Sequence, residues 1–592
     1  MSKKINKPSL KENVSIFFKV LKYLKKYKIL FFISLILTIA VVTLTLYIPI
    51  LVGKAIDLAV GKNNINISAI IQMLTVISIL VLLTAIIQWL INVINNRMVY
   101  GIVKNVRREA FTKLQKLPIS YLDSQSSGDI VSRLIADSDQ FSDGLLMGFT
   151  QFFNGIITII GTLVFMFTIS IPISLIVIFL TPLSLFVAAF IAKKTYSMFK
   201  LQAQLRSEQT SLIDEMIGGH KTVVAFGYQK KAQDSFDDIN KKLSVASLNA
   251  IFFSSTTNPS TRFVNSLVYA LVALTGALLC IGGGIRAITV GKLSSFLSYA
   301  TQYTKPFNEI SSVVTELQNA LICAARVFEL IEAHAEYDNP NADSTELSNN
   351  VMVEFKNVSF SYSDTKPLIE NFSFVAKQGQ HIAIVGPTGC GKTTLINLLM
   401  RFYDVKQGSI LLDGKDIRGI SRHTLRKTYG MVLQDTWLHE GTVLENIAFG
   451  NPQASYEEIV SAAKAAHAHS FIKKLPDGYY TRLGNGGGSL SQGQKQLLCI
   501  ARIILCRPKI LILDEATSSI DTRTEMRIQK AFDTLMQGRT AFVVAHRLST
   551  IINSDVILVM KDGNIVEQGS HEELLAKKGF YHQLYNSQFP NK

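Results

Sequence analysis

The sequence predicts a helical transmembrane domain of six spans with long cytoplasmic helical stalks, fused to an α/β domain built around a phosphate-binding loop. Three observations carry this prediction. Hydrophobic residues make up 48% of the 592 and mean hydropathy is +0.26, but the excess lies before about residue 330. The stretch Gly386-Pro387-Thr388-Gly389-Cys390-Gly391-Lys392-Thr393 reads G-x-x-x-x-G-K-T, between a strand-like run, His381 to Val385, and a helical one, Thr393 to Met400. Long basic loops alternate with short ones poor in charge, the pattern of a chain threaded repeatedly through a bilayer.

The N-terminus sets the first element. Nine lysines fall within residues 1–28. In 13–28, Phe17, Val20, Leu21 and Leu24 recur at helical spacing among Lys19, Lys22, Lys25 and Lys26, which predicts an amphipathic helix lying in the membrane interface. The formal net charge of +16 is compatible with nucleic acid or with anionic lipid. Basic residues crowded against the first apolar run favour membrane lipids and exclude nucleic acid as a partner. The apolar run is too long for a cleavable signal and has no small-residue cleavage site. Five scattered cysteines (Cys280, Cys323, Cys390, Cys499, Cys506) show neither metal spacing nor a disulfide framework, so reduced thiols are expected.

Six spans follow: Ile29 to Leu51, Ile70 to Ile94, Leu145 to Ile169, Ile173 to Ile191, Phe263 to Ile285 and Leu293 to Val314. The sixth is interrupted by Gln302, Lys305, Asn308 and Glu309, and hydropathy alone would stop at five. Loop charge argues for six. Arg97, Lys104, Arg107, Arg108, Lys113 and Lys116 lie between spans two and three, and Lys193, Lys194, Lys200 and Arg206 between four and five. Basic loops stay cytoplasmic, so both termini are expected inside. Those two loops are long and helical in pattern, and form the stalks. Pro49, Pro182, Pro259 and Pro306 are expected to kink or interrupt helices. Gln151, Asn154, Gln302, Lys305 and Glu309 are costly in lipid and are expected to face the interior, as a substrate pathway or, for Lys305 and Glu309, as a pair four residues apart.

The expected domains are therefore 1–28 (cytoplasmic N-terminus with an elbow helix), 29–332 (transmembrane), 333–350 (polar linker) and 351–592 (P-loop nucleotide-binding domain). In the last, alternating Val351, Val353, Phe355, Val358 and Phe360 predict antiparallel strands. Tyr362 follows; an aromatic there can stack on an adenine, although such a residue is more often a core or edge aromatic. Backbone N–H groups of Gly386 to Thr393 are suited to phosphate oxygens, the Lys392 ammonium to the outer phosphates and the Thr393 hydroxyl to Mg2+; Thr394 belongs to the same helix start. Ile510-Leu511-Ile512-Leu513 reads as a strand buried on both faces, delivering Asp514 towards Mg2+ and Glu515 towards a water. Leu490-Ser491-Gln492-Gly493-Gln494, after Gly486-Gly487-Gly488, opens a helix with a second set of anion-binding groups. One nucleotide needs one phosphate loop, so the simplest use of a second is to close over ATP held by another subunit. Cys390, at a helix start, is expected either to be an activated thiol whose alkylation blocks ATP or to be a bystander.

Taken together these residues resemble an ABC exporter half-transporter, and the resemblance covers essentially the whole chain. It implies a phosphate loop at Gly386–Thr393, a glutamine loop at Gln434, the signature at Leu490–Gln494, a metal and catalytic pair at Asp514 and Glu515, a dimer-contact loop at Ser518–Asp521 and a switch histidine at His546. Tyr362 matches the adenine-stacking position. Ser491, Gly493 and Gln494 would contact nucleotide in trans; Thr393, Gln434 and Asp514 would hold Mg2+; Glu515, His546 and Gln434 would act in hydrolysis. Loops near Gly128-Asp129 and Glu215 resemble coupling helices. The chain departs from the family pattern at Gln492, where glycine is usual, and Thr481–Gly487 lacks the glutamates exporters often carry. The resemblance thus implies ATP-driven export of hydrophobic or amphiphilic molecules (drugs, lipids or peptides) from a bacterial plasma membrane, with a second half-transporter as partner. A heterodimer in which this chain supplies the intact catalytic residues is favoured over a homodimer. The competing reading is a membrane-anchored ATPase acting as sensor or channel regulator.

Overall fold

The computed structural model describes residues 10–60, 66–281, 288–336, 352–363, 367–433, 436–488, 490–514, 521–544 and 548–588. They form two compact units. One comprises Met1–Gln115 and Ser126–Ala333, the other Lys116–Gln125 and His334–Lys592.

The first unit is all helix. Its elements are α1 (Leu10–Leu24), α2 (Lys28–Ala59) and α3 (Ile67–Leu114), then, past α4 (Ile119–Asp123) in the other unit, α5 (Ser127–Leu134), α6 (Ala136–Met147), α7 (Phe153–Ile169), α8 (Ile171–Leu180), α9 (Pro182–Gly218), α10 (His220–Ala225), α11 (Gln229–Ser255), α12 (Thr257–Ile281) and α13 (Val290–Glu332). Among the described residues five stretches are long and apolar enough to cross a membrane: Phe18–Ala59, Ile67–Leu114, Ser127–Ile169, Ile171–Gly218 and Gln229–Ile281. α13 has 43 residues, ample for a crossing at 1.5 Å per residue, but its apolar run is broken by Gln302 and Lys305.

In a bilayer every backbone group must be satisfied within the protein. α2 carries Pro49 in its interior, and α13 supplies donors beside it. Ser295 Oγ donates to the Pro49 carbonyl at 2.7 Å, and the Tyr299 hydroxyl donates to the Leu46 carbonyl. The two helices meet through small residues: a Cβ on Gly53 would stand 2.4 Å from the Gly291 carbonyl oxygen. Asp57 caps the start of α13, accepting from the Thr289 hydroxyl (2.6 Å) and the Gly291 N–H (2.7 Å).

The amphipathic α1 buries Ile16 and Val20, not the whole expected stripe; Leu21 stays exposed. The reason is rotational: Lys19 pairs with Glu332 of α13, and Tyr23 stacks on Phe328 at 5.8 Å. Pro182 sits at the first turn of α9 and separates it from α8. Lys305 and Gln151 are exposed on the single chain, and the expected Lys305–Glu309 pair involves a side chain outside the described residues.

The second unit is α/β. Its elements after α4 are β1 (Val353–Phe360), β2 (Ile369–Ala376), β3 (His381–Val385), α14 (Lys392–Leu399), β4 (Gln407–Leu412), β5 (Lys415–Asp416), α15 (Arg422–Thr428), β6 (Tyr429–Val432), β7 (Gly441–Thr442), α16 (Val443–Ala448), α17 (Tyr456–Ala465), α18 (His469–Ile472), β8 (Arg482–Leu483), α19 (Gln492–Cys506), β9 (Ile510–Asp514), α20 (Thr522–Met536), β10 (Thr540–Val544), α21 (Leu548–Ile552), β11 (Val556–Lys561), β12 (Asn564–Gly569), α22 (His571–Ala576) and α23 (Phe580–Gln588). A six-stranded sheet runs β12-β11-β3-β10-β9-β6, parallel throughout except for the edge strand β12. A four-stranded antiparallel sheet, β2-β1-β4-β5, covers one side. Core residues of β3, β9 and β10 are buried without alternation, as expected for strands covered on both faces.

Two hydrogen bonds help to hold the segment Lys116–Gln125 within this unit. The Glu336 N–H donates to the Lys116 carbonyl at 2.8 Å, and the Tyr403 hydroxyl donates to Asp123 Oδ2 at 2.6 Å. Glu336 in turn pairs with Arg422 (3.0 Å) and Arg426 (2.8 Å). Burial and the adjacent Asp123 carboxylate both raise the Tyr403 pKa, so the phenol stays protonated and donates throughout the physiological range. Tyr403→Phe removes a hydrogen bond of about 1 kcal/mol, and amide exchange over residues 119–123 is expected to quicken about fivefold. Hydrogen–deuterium exchange on the full chain measures this; unchanged protection would show that the bond does not hold the segment.

Candidate nucleotide-binding site

Parallel strands deliver their carboxyl ends to one edge, where α/β sheets place ligands. Ile384 of β3, Val544 of β10 and Asp514 of β9 lie in register across three neighbouring strands. Leu513 of β9 pairs with Val432 of β6. This edge therefore receives the chain just before Gly386, Gln434, Glu515 and His546, four stretches far apart in sequence. Gln434, Glu515, Ser518–Ile520 and His546 themselves lie outside the described residues, as does most of the expected linker.

The loop Gly386–Gly391 is shaped by its glycines. Gly389 and Gly391 take φ of +85° and +104°, which residues with a Cβ rarely adopt. At Gly386 close approach adds to conformation: a Cβ would stand 2.2 Å from the Met560 carbonyl oxygen of β11. Pro387, Thr388 and Gly389 form an exposed crest. α14 begins at Gly391, which has no side chain to cap it, so the first N–H groups of the helix open onto the loop. The Lys392 side chain is 9% exposed. Its Nζ donates to the carbonyls of Gly386 (2.7 Å) and Pro387 (3.0 Å), which leaves one of its three donors for a ligand. Thr393 is exposed beside it and Thr394 is buried. Uncapped helix donors, an ammonium and an exposed hydroxyl are the donor set that a polyphosphate with a hard cation requires.

Tyr362 stands over this helix. Its hydroxyl donates to Thr394 Oγ1 and accepts from Asn397 Nδ2, each at 3.3 Å. Phe360 and Tyr403 meet its ring edge-to-face with centroids 5.0 Å away, and the residue remains 52% exposed. It is thus oriented by four neighbours while presenting ring surface beside the phosphate loop.

Cys390 belongs to the interior of the loop. It is 3% exposed, and burial raises its thiol pKa despite the nearby Lys392. Of the two readings of Cys390 this favours the bystander over the activated thiol, because desolvation outweighs the lysine charge.

The signature stretch sits in the helical layer. Ser491 is the N-cap of α19: its hydroxyl accepts from the Gln494 N–H (3.4 Å), and Gln494 Oε1 accepts from the Ser491 N–H (3.0 Å). This capping box uses two of the groups expected to face an anion. Gln492 is exposed at the first helical position, and Gly493 is buried. Gly486, Gly487 and Gly488 all have positive φ, and Lys495 Nζ donates to the Gly486 carbonyl at 2.6 Å. Asp521 caps α20 by accepting from the Thr524 N–H at 2.9 Å.

Several supporting residues carry no sequence signal. Asn446, fully buried, accepts from the His439 N–H and donates to the His439 carbonyl, both at 2.8 Å. Arg502 donates to the Asn446 carbonyl at 2.9 Å and lies over the Phe449 ring. They fix the segment that returns from β6, and only the folded chain brings them together.

Comparison with known proteins agrees with this architecture. Residues 31–307 match the family described as ABC transporter transmembrane region, and 369–518 match that described as ABC transporter. The chain is 40% identical over 533 residues to a fatty acid ABC transporter ATP-binding/permease protein of Mycobacterium tuberculosis, covering 89% of this chain and 84% of that protein. It is 34% identical over 583 residues to a putative multidrug export ATP-binding/permease protein of Staphylococcus aureus, covering 96% and 99%. A solved bacterial Atm1-family ABC exporter with ATP bound superposes with a TM-score of 0.78 at 28% identity, over 96% of this chain and 99% of that one. The chain belongs to the ABC transporter family, as an ATP-hydrolysing membrane exporter carrying its transmembrane and ATP-binding domains on one polypeptide.

Proposed function

We propose that this chain pairs with a second half-transporter, itself or a related chain, and exports amphiphilic molecules across a bacterial plasma membrane with both termini in the cytoplasm. The observation that carries this reading is one sheet edge receiving four motif-bearing strand ends, in a chain with five membrane-length apolar helices among its described residues. The domain limits 1–28, 29–332, 333–350 and 351–592 are proposed for the same reason, with Lys116–Gln125 docked on the ATP-binding domain.

Bound ATP supplies the free energy of its terminal phosphoanhydride. The N-terminal amides of α14 and the Lys392 ammonium would hold its phosphates, and Tyr362 its base. Thr393, Gln434 and Asp514 would supply oxygen ligands to Mg2+. Glu515 would accept a proton from water, Gln434 and His546 would orient and stabilise the phosphoryl oxygens, and Ser491, Gly493 and Gln494 would close on nucleotide held by the partner. The relatives' names, fatty acid transporter and multidrug exporter, support an amphiphilic cargo. The complete set of ATPase motifs favours turnover over a sensor without transport.

The test is ATP-dependent accumulation of a fluorescent amphiphile in inside-out vesicles from cells expressing the full chain. Accumulation that is lost on vanadate treatment is expected. ATP hydrolysis without accumulation of any amphiphile would favour the sensor.

A further inference from the structure

The stretch Gly128-Asp129 does not lie in the segment Lys116–Gln125 of the ATP-binding unit; it lies in α5, within the transmembrane unit. There Asp129 is the centre of a charged cluster that joins α5 and α6 to the end of α13. Its Oδ2 accepts from Arg133 Nε at 2.7 Å and its Oδ1 from Arg326 Nη2 at 2.5 Å. Arg133 Nη1 donates to Glu329 Oε2 at 3.0 Å, and Arg326 Nη1 donates to Asp137 Oδ1 at 3.3 Å. Ser126 caps α5 by accepting from the Asp129 N–H at 3.2 Å, which fixes the backbone that carries the carboxylate.

Stability does not account for such a cluster. The Arg133 and Asp137 side chains are 10% and 8% exposed. Ionised groups lose most of their hydration at that depth, and a buried ion pair is often no more stable than apolar side chains of the same volume. What the cluster supplies is register. Apolar helix faces tolerate sliding. A carboxylate that accepts from two guanidiniums, one on its own helix and one on α13, fixes both the separation and the rotation of the two helices.

Its place along the chain gives that register a use. α5 begins at Ser127, just after Gln125, where the chain leaves the ATP-binding unit. α13 ends at Glu332, just before His334, where the chain enters that unit again. The cluster therefore joins two of the three helix ends through which the chain passes between the units. Within the ATP-binding unit the same two stretches are tied once more, by the Glu336 N–H on the Lys116 carbonyl.

We propose that Asp129, Arg133, Arg326 and Glu329 are positioning residues that lock α5 to the end of α13. A movement of the ATP-binding unit then drives both helices together, and hydrolysis is tied to the transport stroke. Without the lock, α5 follows Lys116–Gln125 while α13 lags, and ATP is hydrolysed without export. The inference needs ATP-driven export but no particular cargo.

The test takes two readouts on the assembly that hydrolyses ATP. In phosphatidylcholine nanodiscs, hydrogen–deuterium exchange compares the nucleotide-free protein with the ATP–vanadate state over residues 127–134 and 320–332. The wild type is expected to change protection in both segments together. Arg326→Ala is expected to keep the response of 127–134 and to shrink that of 320–332 about fivefold. In inside-out vesicles the same variant is expected to lower the fluorescent amphiphile accumulated per ATP hydrolysed about tenfold, the size of an ordinary coupling between sites. Its ATP turnover and its binding of a fluorescent ATP analogue are expected to stay within about threefold of the wild type, which shows that it is folded. Asp129→Asn is expected to repeat the effect. Arg326→Lys, which keeps the charge without the fork, is expected to recover about half of the lost ratio. Accumulation and turnover that fall together, leaving their ratio unchanged, would make the cluster merely structural and overturn the proposal. So would an Arg326→Ala protein whose two segments still respond together. If wild-type vesicles accumulate nothing, the amphiphilic cargo falls, and exchange alone decides the lock.

Discussion

Glu515→Gln is expected to lower ATP turnover by about 10²- to 10⁴-fold while leaving ATP binding intact. β9 is held between β10 and β6, with Ile510 to Leu513 buried, and so brings the chain to the sheet edge in a fixed position. Glu515 is the next residue after Asp514. Glutamine keeps the size and the hydrogen-bonding capacity of the side chain but cannot take a proton from water. Phosphate release by the purified chain in lipid, with nucleotide binding measured in parallel, reads both quantities. A variant within about tenfold of wild type would remove Glu515 from the role of general base. The same measurement decides the assembly. Turnover by the chain alone is the result expected of a homodimer. A chain that binds ATP but is monomeric and inactive needs a related partner, and turnover restored by that partner is then the quantity that Glu515→Gln must abolish.

Lys392→Ala is expected to weaken ATP binding by about 10- to 100-fold. The Lys392 ammonium is nearly buried and tied to the Gly386 and Pro387 carbonyls, so its charge is fixed at the loop with little side-chain entropy left to lose. A hydrogen bond to a charged group contributes about 1.5–3 kcal/mol, and each 1.4 kcal/mol is tenfold in affinity. Alanine also leaves two loop carbonyls without their donor, which loosens the crest. Thr388→Ala is the control: its side chain is exposed on that crest, and less than about a threefold change is expected. Titration with a fluorescent ATP analogue under non-hydrolysing conditions checks both. Equal effects of the two variants would mean that the backbone amides, and not the lysine, dominate phosphate binding.

Much of this was legible because the physics is local. A G-x-x-x-x-G-K-T run needs only its own glycines and the helix that follows it; a buried parallel strand shows itself as four consecutive apolar residues. Membrane helices are legible because lipid demands long apolar runs, and the weakness of the sixth span was visible in Gln302 and Lys305. What the sequence left open was environment. Cys390 is next to a helix start in sequence, and its burial, which raises the thiol pKa, favours the bystander over the activated thiol. Ser491 reads as an anion ligand, and the fold adds a capping box on its own helix. Leu21 belongs with Val20 to one apolar stripe in sequence, yet with Lys19 paired to Glu332 α1 buries Val20 together with Ile16 and leaves Leu21 exposed.

The sequence by itself determined the family, the two-domain order, the phosphate loop and the identity of the residues able to serve it, because each depends on spacing along one segment. The tertiary structure decided which segments meet. It brought the ends of β3, β6, β9 and β10 to one edge, set Tyr362 between Phe360 and Tyr403 above α14, and tied Asp123 to Tyr403. These juxtapositions join residues up to hundreds of positions apart. They follow from strand order and helix packing, which long-range burial selects and no local pattern encodes.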